Sequence, residues 1–187
     1  MRPRPSRRVL LVVLVAVTAA VVARVAAPAS RHLAGSVGPC GFERWTVKTL
    51  QDRPRLLPVE PTSLAHLTGI PRPALVPAWR LPFERHVFSV IASATFQREE
   101  SDQDYHVILR VGSRQMIAEA PNAPSCTPNA TGHRRREMRR ARRAVRRSCA
   151  RAHVVGVASF DYNHGQTGVA PNAIELHPIV GYSCLSP

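Results

Sequence analysis

The chain has 187 residues and a formal net charge of +14, from 26 Lys and Arg against 12 Asp and Glu. The excess charge is local, because residues 134–151 carry ten arginines and one glutamate, while the first 29 residues carry five more arginines. The rest of the chain is near neutral, so the protein is not basic throughout. The four cysteines lack a C-x-x-C spacing, which argues against a zinc knuckle or a thioredoxin-like redox pair.

The N-terminus has the layout of a secretory signal peptide over residues 1–29: a basic start, the uncharged apolar run Val9 to Ala23, and the small-residue triplet Ala27-Pro28-Ala29. Arg24 ends the run short of the roughly 20 apolar residues that a bilayer span needs, so cleavage is favoured over a retained anchor. Ser6-Arg7-Arg8 also fits a twin-arginine signal, and both export routes stay open. We expect an exported protein, secreted or associated with the cell envelope, with no permanent membrane span after cleavage.

Four cysteines in an exported chain predict two disulfides, with three pairings open. The favoured pairing joins Cys126 to Cys149, which would clamp the two ends of the Arg-rich segment. Cys40 would then pair with Cys184 and tie the ends of the mature chain together.

Residues 30–85 are predicted to be a linker, a short strand and a Pro-rich extended arm. Residues 43–50 (ERWTVKTL) carry strand-forming residues at alternate positions, so they predict the strand. Seven prolines in residues 51–85 exclude a long helix or a central strand. A short helix is expected only in PTSLAHLTGI, capped by Thr62 or Ser63 and ended by Gly69.

Residues 86–187 are predicted to form the folded core. Alternating apolar residues predict strands in VFSVIASATFQ, DYHVILRV, QMIAEA, AHVVGVASFDY and AIELHPIVGYS, with an amphipathic Arg-rich helix between the third and fourth. That order is typical of a small five-stranded OB-like barrel, a mainly β fold. A small open β-sandwich with one packed helix is the second interpretation.

Carboxylates and histidines alternate with apolar residues on two of these strands. The periodicity places Asp104 beside His106, and Glu175 beside His177, on faces opposite the core. His164 enters from the turn before the last strand. A carboxylate beside an imidazole suits acid–base catalysis or metal binding, so these five are the candidate catalytic residues and the three histidines the candidate metal ligands. The alternative is a polar cluster that only stabilises the fold.

Five blocks of the sequence resemble a group of exported bacterial proteins without an assigned function. They are ERWTVKTLQD (43–52), ESDQDYHVIL (100–109), MIAEAP (116–121), PSC (124–126) and HGQTGVAPNAIELHPIV (164–180). The resemblance covers most of the mature chain and implies export and one compact domain. It implies no catalytic residues.

Two functions from different classes follow. The first is a non-enzymatic OB-like binding domain for an anionic polymer, nucleic acid or a cell-envelope polymer, held by Arg139, Arg142, Arg143 and Arg146. The second is a metal-dependent hydrolase of nuclease or phosphodiesterase type that uses the histidine and carboxylate cluster. The sequence establishes no cofactor, although a divalent metal would suit these ligand types, and it leaves the oligomeric state open. The hydrolase requires the candidate residues to converge in a partly open pocket.

Overall fold

The computed structural model describes residues 40–41, 43–163 and 165–186. The predicted signal peptide, most of the linker and His164 lie outside the described residues. In chain order the elements are α1 (Trp45–Lys48), β1 (Val59–Pro61), α2 (Leu64–Gly69), a 3-10 helix (Pro82–Arg85), β2 (Val87–Glu99), β3 (Tyr105–Val111), β4 (Arg114–Ala120), α3 (Ala123–Cys126), α4 (Gly132–Ala144), β5 (Cys149–Phe160) and β6 (Ile174–Ser186).

The five long strands form a closed barrel in the order β2-β3-β4-β6-β5, because β5 also pairs with β2. All neighbours are antiparallel except β4 and β6, which run parallel. The Arg-rich helix α4 connects β4 to β5. This strand order with a helix between the third and fourth barrel strands is that of an OB-like barrel, so the predicted fold is confirmed.

Alternation along the strands fills the barrel interior as the sequence predicts. Phe88, Val90, Ala92 and Ala94 of β2 are buried in the same core cluster as Tyr105, Val107 and Leu109 of β3 and Leu176 of β6. Strict alternation from Ile174 and Leu176 predicts Val180 on the inward face, and this prediction is wrong. Ile179, rather than Val180, joins this cluster, because the β5–β6 ladder shifts register between Gly156 and Ala158 and so changes which parity of β6 faces inward.

The segment before the barrel wraps around it, as the proline density indicates. Strand β1 pairs in parallel with the start of β2, and α2 inserts Leu64 and Leu67 into the core. Ser63 caps α2 by accepting a hydrogen bond from the backbone N–H of His66, as predicted.

The predicted strand over residues 43–50 is wrong. Trp45–Lys48 forms a single helical turn, with Arg44 and Leu50 in left-handed conformations on either side. Tertiary contacts impose this geometry, because the Arg44 side chain donates hydrogen bonds to the carbonyl oxygens of Pro77 and Phe160. These long-range contacts override the local strand preference.

All four cysteines are in disulfides, but the favoured pairing is wrong: the bonds join Cys40 to Cys126 and Cys149 to Cys184. Cys126 precedes α4 and Cys149 follows it, and the 13 residues of the helix span about 20 Å, which separates the two cysteines. Cys149 lies on β5, beside the β6 residue Cys184, with a Cα–Cα distance of 5.8 Å. In the described part of the chain, no helix has the length and apolar character needed to cross a membrane.

Peptide mapping under non-reducing conditions is expected to recover Cys40 linked to Cys126 and Cys149 linked to Cys184. The same material should contain no alkylatable thiol. A peptide that links Cys126 to Cys149 would contradict the arrangement of α4 on the barrel.

Candidate functional site

Three polar side chains form a row across the outer face of the barrel. His106 on β3 lies opposite Glu119 on β4, and the parallel pairing of Ala118 with Leu176 places His177 on β6 next to Glu119. Outward-facing positions of neighbouring strands lie about 5 Å apart, so the row follows directly from the strand register.

The row continues into a chain of alternating carboxylates and imidazoles. His106 Nδ1 lies 3.3 Å from Glu100 Oε1 and 3.2 Å from Glu119 Oε1, while its Nε2 donates to the Thr167 carbonyl oxygen at 2.8 Å. His177 Nδ1 lies 2.9 Å from Glu119 Oε2, and His177 Nε2 lies 2.9 Å from Asp104 Oδ2. Glu119 thus sits between the two imidazoles.

A lysine from α1 extends the cluster toward β5 and β6. Lys48 Nζ lies 2.8 Å from Asp161 Oδ1 and 3.5 Å from Glu175 Oε1. Glu175 Oε1 in turn lies 3.3 Å from His177 Nδ1. We call these eight residues the polar cluster: Lys48, Glu100, Asp104, His106, Glu119, Asp161, Glu175 and His177.

The polar cluster is sealed from solvent. Seven of its members are buried, and Glu100 is half-buried. Trp45 covers it from the α1 side, with its ring edge-on to His177 at a centroid distance of 6.4 Å, while Thr167 closes it from the β5–β6 loop. A crevice of about 10 Å³ lies beside Asp161 and Glu175, which is room for about one water molecule. A polymer cannot enter.

Burial and charge pairing together set the protonation of the cluster. Burial opposes the charged form of His106, but its bonds to Glu100 and Glu119 outweigh burial and raise its pKa to about 10. Burial likewise opposes the charged form of His177, yet the carboxylates of Asp104 and Glu119 raise its pKa well above the ordinary value. Both imidazoles are therefore cations at neutral pH wherever protons are their only partners.

The carboxylates respond in opposite directions. Burial would raise the pKa of Glu119, but the two flanking imidazoles lower it below the ordinary value. Burial raises the pKa of Asp104 to about 6, against the opposing effect of His177. Burial also raises the pKa of Glu175, with Lys48 acting against it. Asp104 and Glu175 are thus the members that gain protons most readily.

Four of the five candidate catalytic residues meet in this cluster: Asp104, His106, Glu175 and His177. Asp104 contacts His177 on another strand rather than the predicted partner His106, whereas Glu175 and His177 of β6 lie together as predicted. His164 is outside the described residues. The sequence interpretation missed Glu119, although it alternates with buried Ala118 and Ala120 in QMIAEA and so faces outward. The sequence pattern does not indicate Lys48 as a site residue, because it predicts a strand for residues 43–50.

The Arg-rich helix α4 presents a second candidate surface, the arginine face: Arg136, Arg139, Arg140, Arg143, Arg146 and Arg147, all exposed. Arg142, predicted to bind a polyanion with Arg139, Arg143 and Arg146, is instead buried. Its guanidinium stacks 3.5 Å from the Tyr105 ring centroid and donates to the Ala120 carbonyl oxygen. Arg142 lies on the same side of α4 as buried Met138 and Ala141. Of the four arginines predicted to bind a polyanion, only Arg139, Arg143 and Arg146 are therefore exposed.

No family model matches the chain, and no curated protein matches it. Among solved structures, an aspartyl-tRNA synthetase from Leishmania major shares 14% identity over 68% of this chain and 21% of its own, with a TM-score of 0.42. An Entamoeba histolytica asparaginyl-tRNA synthetase in complex with asparaginyl-adenylate shares 14% identity over 69% of this chain and 24% of its own, with a TM-score of 0.40. The chain thus spans about a quarter or less of their length. The barrel assignment rests on the strand order of this chain, and these weak similarities add no argument about function.

Proposed function

We propose that this chain is a non-catalytic, exported OB-like binding domain that holds an anionic polymer on the arginine face of α4. One observation carries the proposal. Six guanidinium groups lie exposed along α4 and the turn after it, and among the described residues none of the six has a carboxylate partner. The one acidic side chain of the helix, Glu137, is already paired with Arg134 and His133. The two disulfides fit an oxidising compartment.

The helix is held firmly against the barrel, which supports a role in presenting charge. Met138, Ala141 and Val145 are buried beneath it, and Arg142 is fixed on the Tyr105 ring. Arg146 also lies over this ring, at 5.4 Å from its centroid. Because the helix is already fixed on the barrel, its backbone loses little conformational entropy when a polyanion binds the arginine face.

The barrel face supports charge recognition over base recognition. OB domains that bind nucleic acids use the outer face of the second and third barrel strands, which are β3 and β4 in this chain. Here His106, Ile108, Ile117 and Glu119 point out of the barrel and are nevertheless buried, because α1 and the β5–β6 loop cover them. Stacking of bases on that face is blocked, so the expected ligand is a polymer recognised by its phosphates or other repeated anionic groups.

No observation favours the hydrolase alternative. Four of its five candidate residues converge, but they do so beneath Trp45 and the β5–β6 loop, where a substrate has no access. The arginine face and the polar cluster are therefore separate features of the molecule.

Replacing Arg139, Arg143 and Arg146 together with glutamine is expected to weaken polyanion binding at least tenfold. Each phosphate contact releases counterions when the polymer binds. The loss of three contacts should therefore flatten the slope of log affinity against log salt by about 2–3. Fluorescence anisotropy with a labelled oligothymidylate, and competition by long-chain polyphosphate, measure both quantities. Glutamine keeps the helix propensity high, so the melting temperature should stay near that of the wild type.

The matched control replaces Arg55, Arg110 and Arg114 with glutamine. These three arginines are also exposed, so the control removes the same charge from other surfaces of the molecule. It should lower affinity far less and leave most of the salt slope. Equal losses in the two triple variants would mean that net charge alone attracts the polymer, and the proposal would then fail.

A further inference from the structure

The polar cluster contains more acidic than basic groups. Its carboxylates number five against three cations, namely Lys48, His106 and His177. A buried excess of negative charge is costly unless something neutralises it. Protons on Asp104 and Glu175 could do so in part, and a bound cation could do so directly.

Two side chains in the cluster, Asp104 and His177, lack hydrogen-bond partners at both of their polar side-chain atoms. Asp104 is fully buried, and neither of its carboxylate oxygens has a hydrogen-bond partner of acceptable geometry. His177 is 1% exposed, and neither of its ring nitrogens has a hydrogen-bond partner of acceptable geometry. Asp104 Oδ2 and His177 Nε2 lie 2.9 Å apart, so the two side chains are close together, but they are not aligned as donor and acceptor. Ligands of one metal ion have this relation, since each directs a lone pair at the ion.

We propose that Asp104, Glu119 and His177 form a structural site for a divalent transition-metal cation of the zinc type. One ligand atom from each of the three lies within 4.8 Å of the other two. Ligands that bind zinc at about 2.0–2.2 Å lie roughly 3–3.5 Å apart. Asp104 Oδ2 lies 2.9 Å from His177 Nε2, whereas Glu119 Oε2 lies 2.9 Å from the other ring nitrogen, Nδ1, so one carboxylate has to turn toward the ion when it binds. The mixed imidazole and carboxylate set suits zinc better than the hard cations Ca²⁺ and Mg²⁺, which take oxygen ligands.

A neighbouring group, Glu100 with His106 and Glu119, also brings three ligand atoms together. His106 is less suited to bind a metal, because Nε2 donates to the Thr167 carbonyl oxygen and Nδ1 is hydrogen-bonded to Glu119. Its two nitrogens are therefore already occupied as hydrogen-bonding groups. Both ring nitrogens of His177 also lie near carboxylates, but neither makes an aligned hydrogen bond, so one of them is available to the ion.

Burial makes the site structural. A catalytic zinc keeps an open coordination position, whereas this site lies under Trp45. The ion would bind as the chain folds, with one imidazole proton released to solvent, and it would fasten β3, β4 and β6 together beneath α1. The site is independent of the arginine face, so the failure of either proposal leaves the other standing.

The test uses the whole oxidised protein. It is unfolded in guanidinium with a chelator to remove bound metal, the guanidinium and the chelator are then removed, and the protein is refolded with or without Zn²⁺. Stoichiometric zinc should survive gel filtration, and the zinc-refolded protein should melt several degrees higher. Ca²⁺ and Mg²⁺ in place of zinc should be lost on the column and leave the melt unchanged. Zinc-free refolding to the same melting temperature, with no zinc retained from the zinc arm, overturns the proposal.

Three variants identify the ligands. Asp104→Asn should lose at least tenfold in zinc affinity, while Glu100→Gln should keep stoichiometric zinc. Glu137→Gln is the matched control, because Glu137 forms an exposed pair with His133 at 3.1 Å and would reveal binding to surface groups. Zinc lost from Glu100→Gln or Glu137→Gln but kept by Asp104→Asn contradicts the assignment. If Asp104→Asn does not fold, the wild-type zinc retention and the other two variants still decide.

Discussion

Replacing Glu84 by glutamine is expected to lower the free energy of unfolding by about 3–5 kcal/mol. Glu84 is fully buried, and its carboxylate accepts two hydrogen bonds from the Arg44 guanidinium at 2.6 Å. The same carboxylate accepts from the backbone N–H groups of Leu81 and Phe160. Glutamine keeps the shape but leaves the Arg44 charge buried without a counter-ion. Denaturant unfolding followed by tryptophan fluorescence measures the change.

Glu60→Gln is the control for that experiment. Glu60 is exposed on β1, and its carboxylate lies 3.6 Å from the His86 imidazole, so its loss should change stability by no more than about 0.5 kcal/mol. If Glu84→Gln unfolds at the same denaturant concentration as Glu60→Gln, the buried pair does not hold the N-terminal segment in place.

The barrel was predictable because the information for it is local. Each strand of the core alternates apolar with other residues, and the strand order with one intervening helix leaves few topologies. The helix α2 was predictable for the same reason, since Ser63 and Gly69 mark its ends. The Arg-rich helix was located correctly, but the spacing alone did not show that Arg142 turns inward, because an arginine can bury its charge over a ring such as Tyr105.

The cover over the barrel was not predictable from pattern. Arg44 and Lys48 take their conformation from partners more than 30 residues away, and local strand preference pointed elsewhere. The disulfide pairing was predicted wrongly because sequence spacing does not reveal which strands become neighbours. The pairing of β5 with β6 brings Cys149 next to Cys184. Glu119 was overlooked because a single acid in a short strand carries no signal until His106 and His177 are placed on either side of it.

The sequence blocks that carry the resemblance to exported bacterial proteins contribute most of the polar cluster. Lys48 comes from ERWTVKTLQD, Asp104 and His106 from ESDQDYHVIL, Glu119 from MIAEAP, and Glu175 and His177 from the final block. Blocks far apart in the chain thus meet at one buried place. The family itself remains a prediction, but four of the five blocks, all except PSC, supply charged side chains to this one network.

Replacing Lys48 by methionine is expected to lower the free energy of unfolding by about 3–5 kcal/mol, because it leaves buried Asp161 without the Lys48 cation and buried Glu175 with His177 alone. Asp161 lies 2.8 Å and Glu175 3.5 Å from the ammonium group. The opposing carboxylates raise the Lys48 pKa above its ordinary value, although burial acts against them, so the pair persists across the neutral range. Denaturant unfolding measures the loss, and limited proteolysis should cut residues 43–56 faster.

Two further variants separate the ion pair from a general effect of charge. Arg55→Met removes one positive charge from an exposed position on the same segment and should leave stability nearly unchanged. The double variant Lys48→Met with Asp161→Asn removes one of the stranded carboxylates, so its loss should be smaller than the sum of the two single losses, with a coupling of about 0.5–3 kcal/mol. Strict additivity would mean that Lys48 and Asp161 do not stabilise each other, and α1 would then be held on the barrel by Arg44, Trp45 and the Cys40–Cys126 disulfide instead.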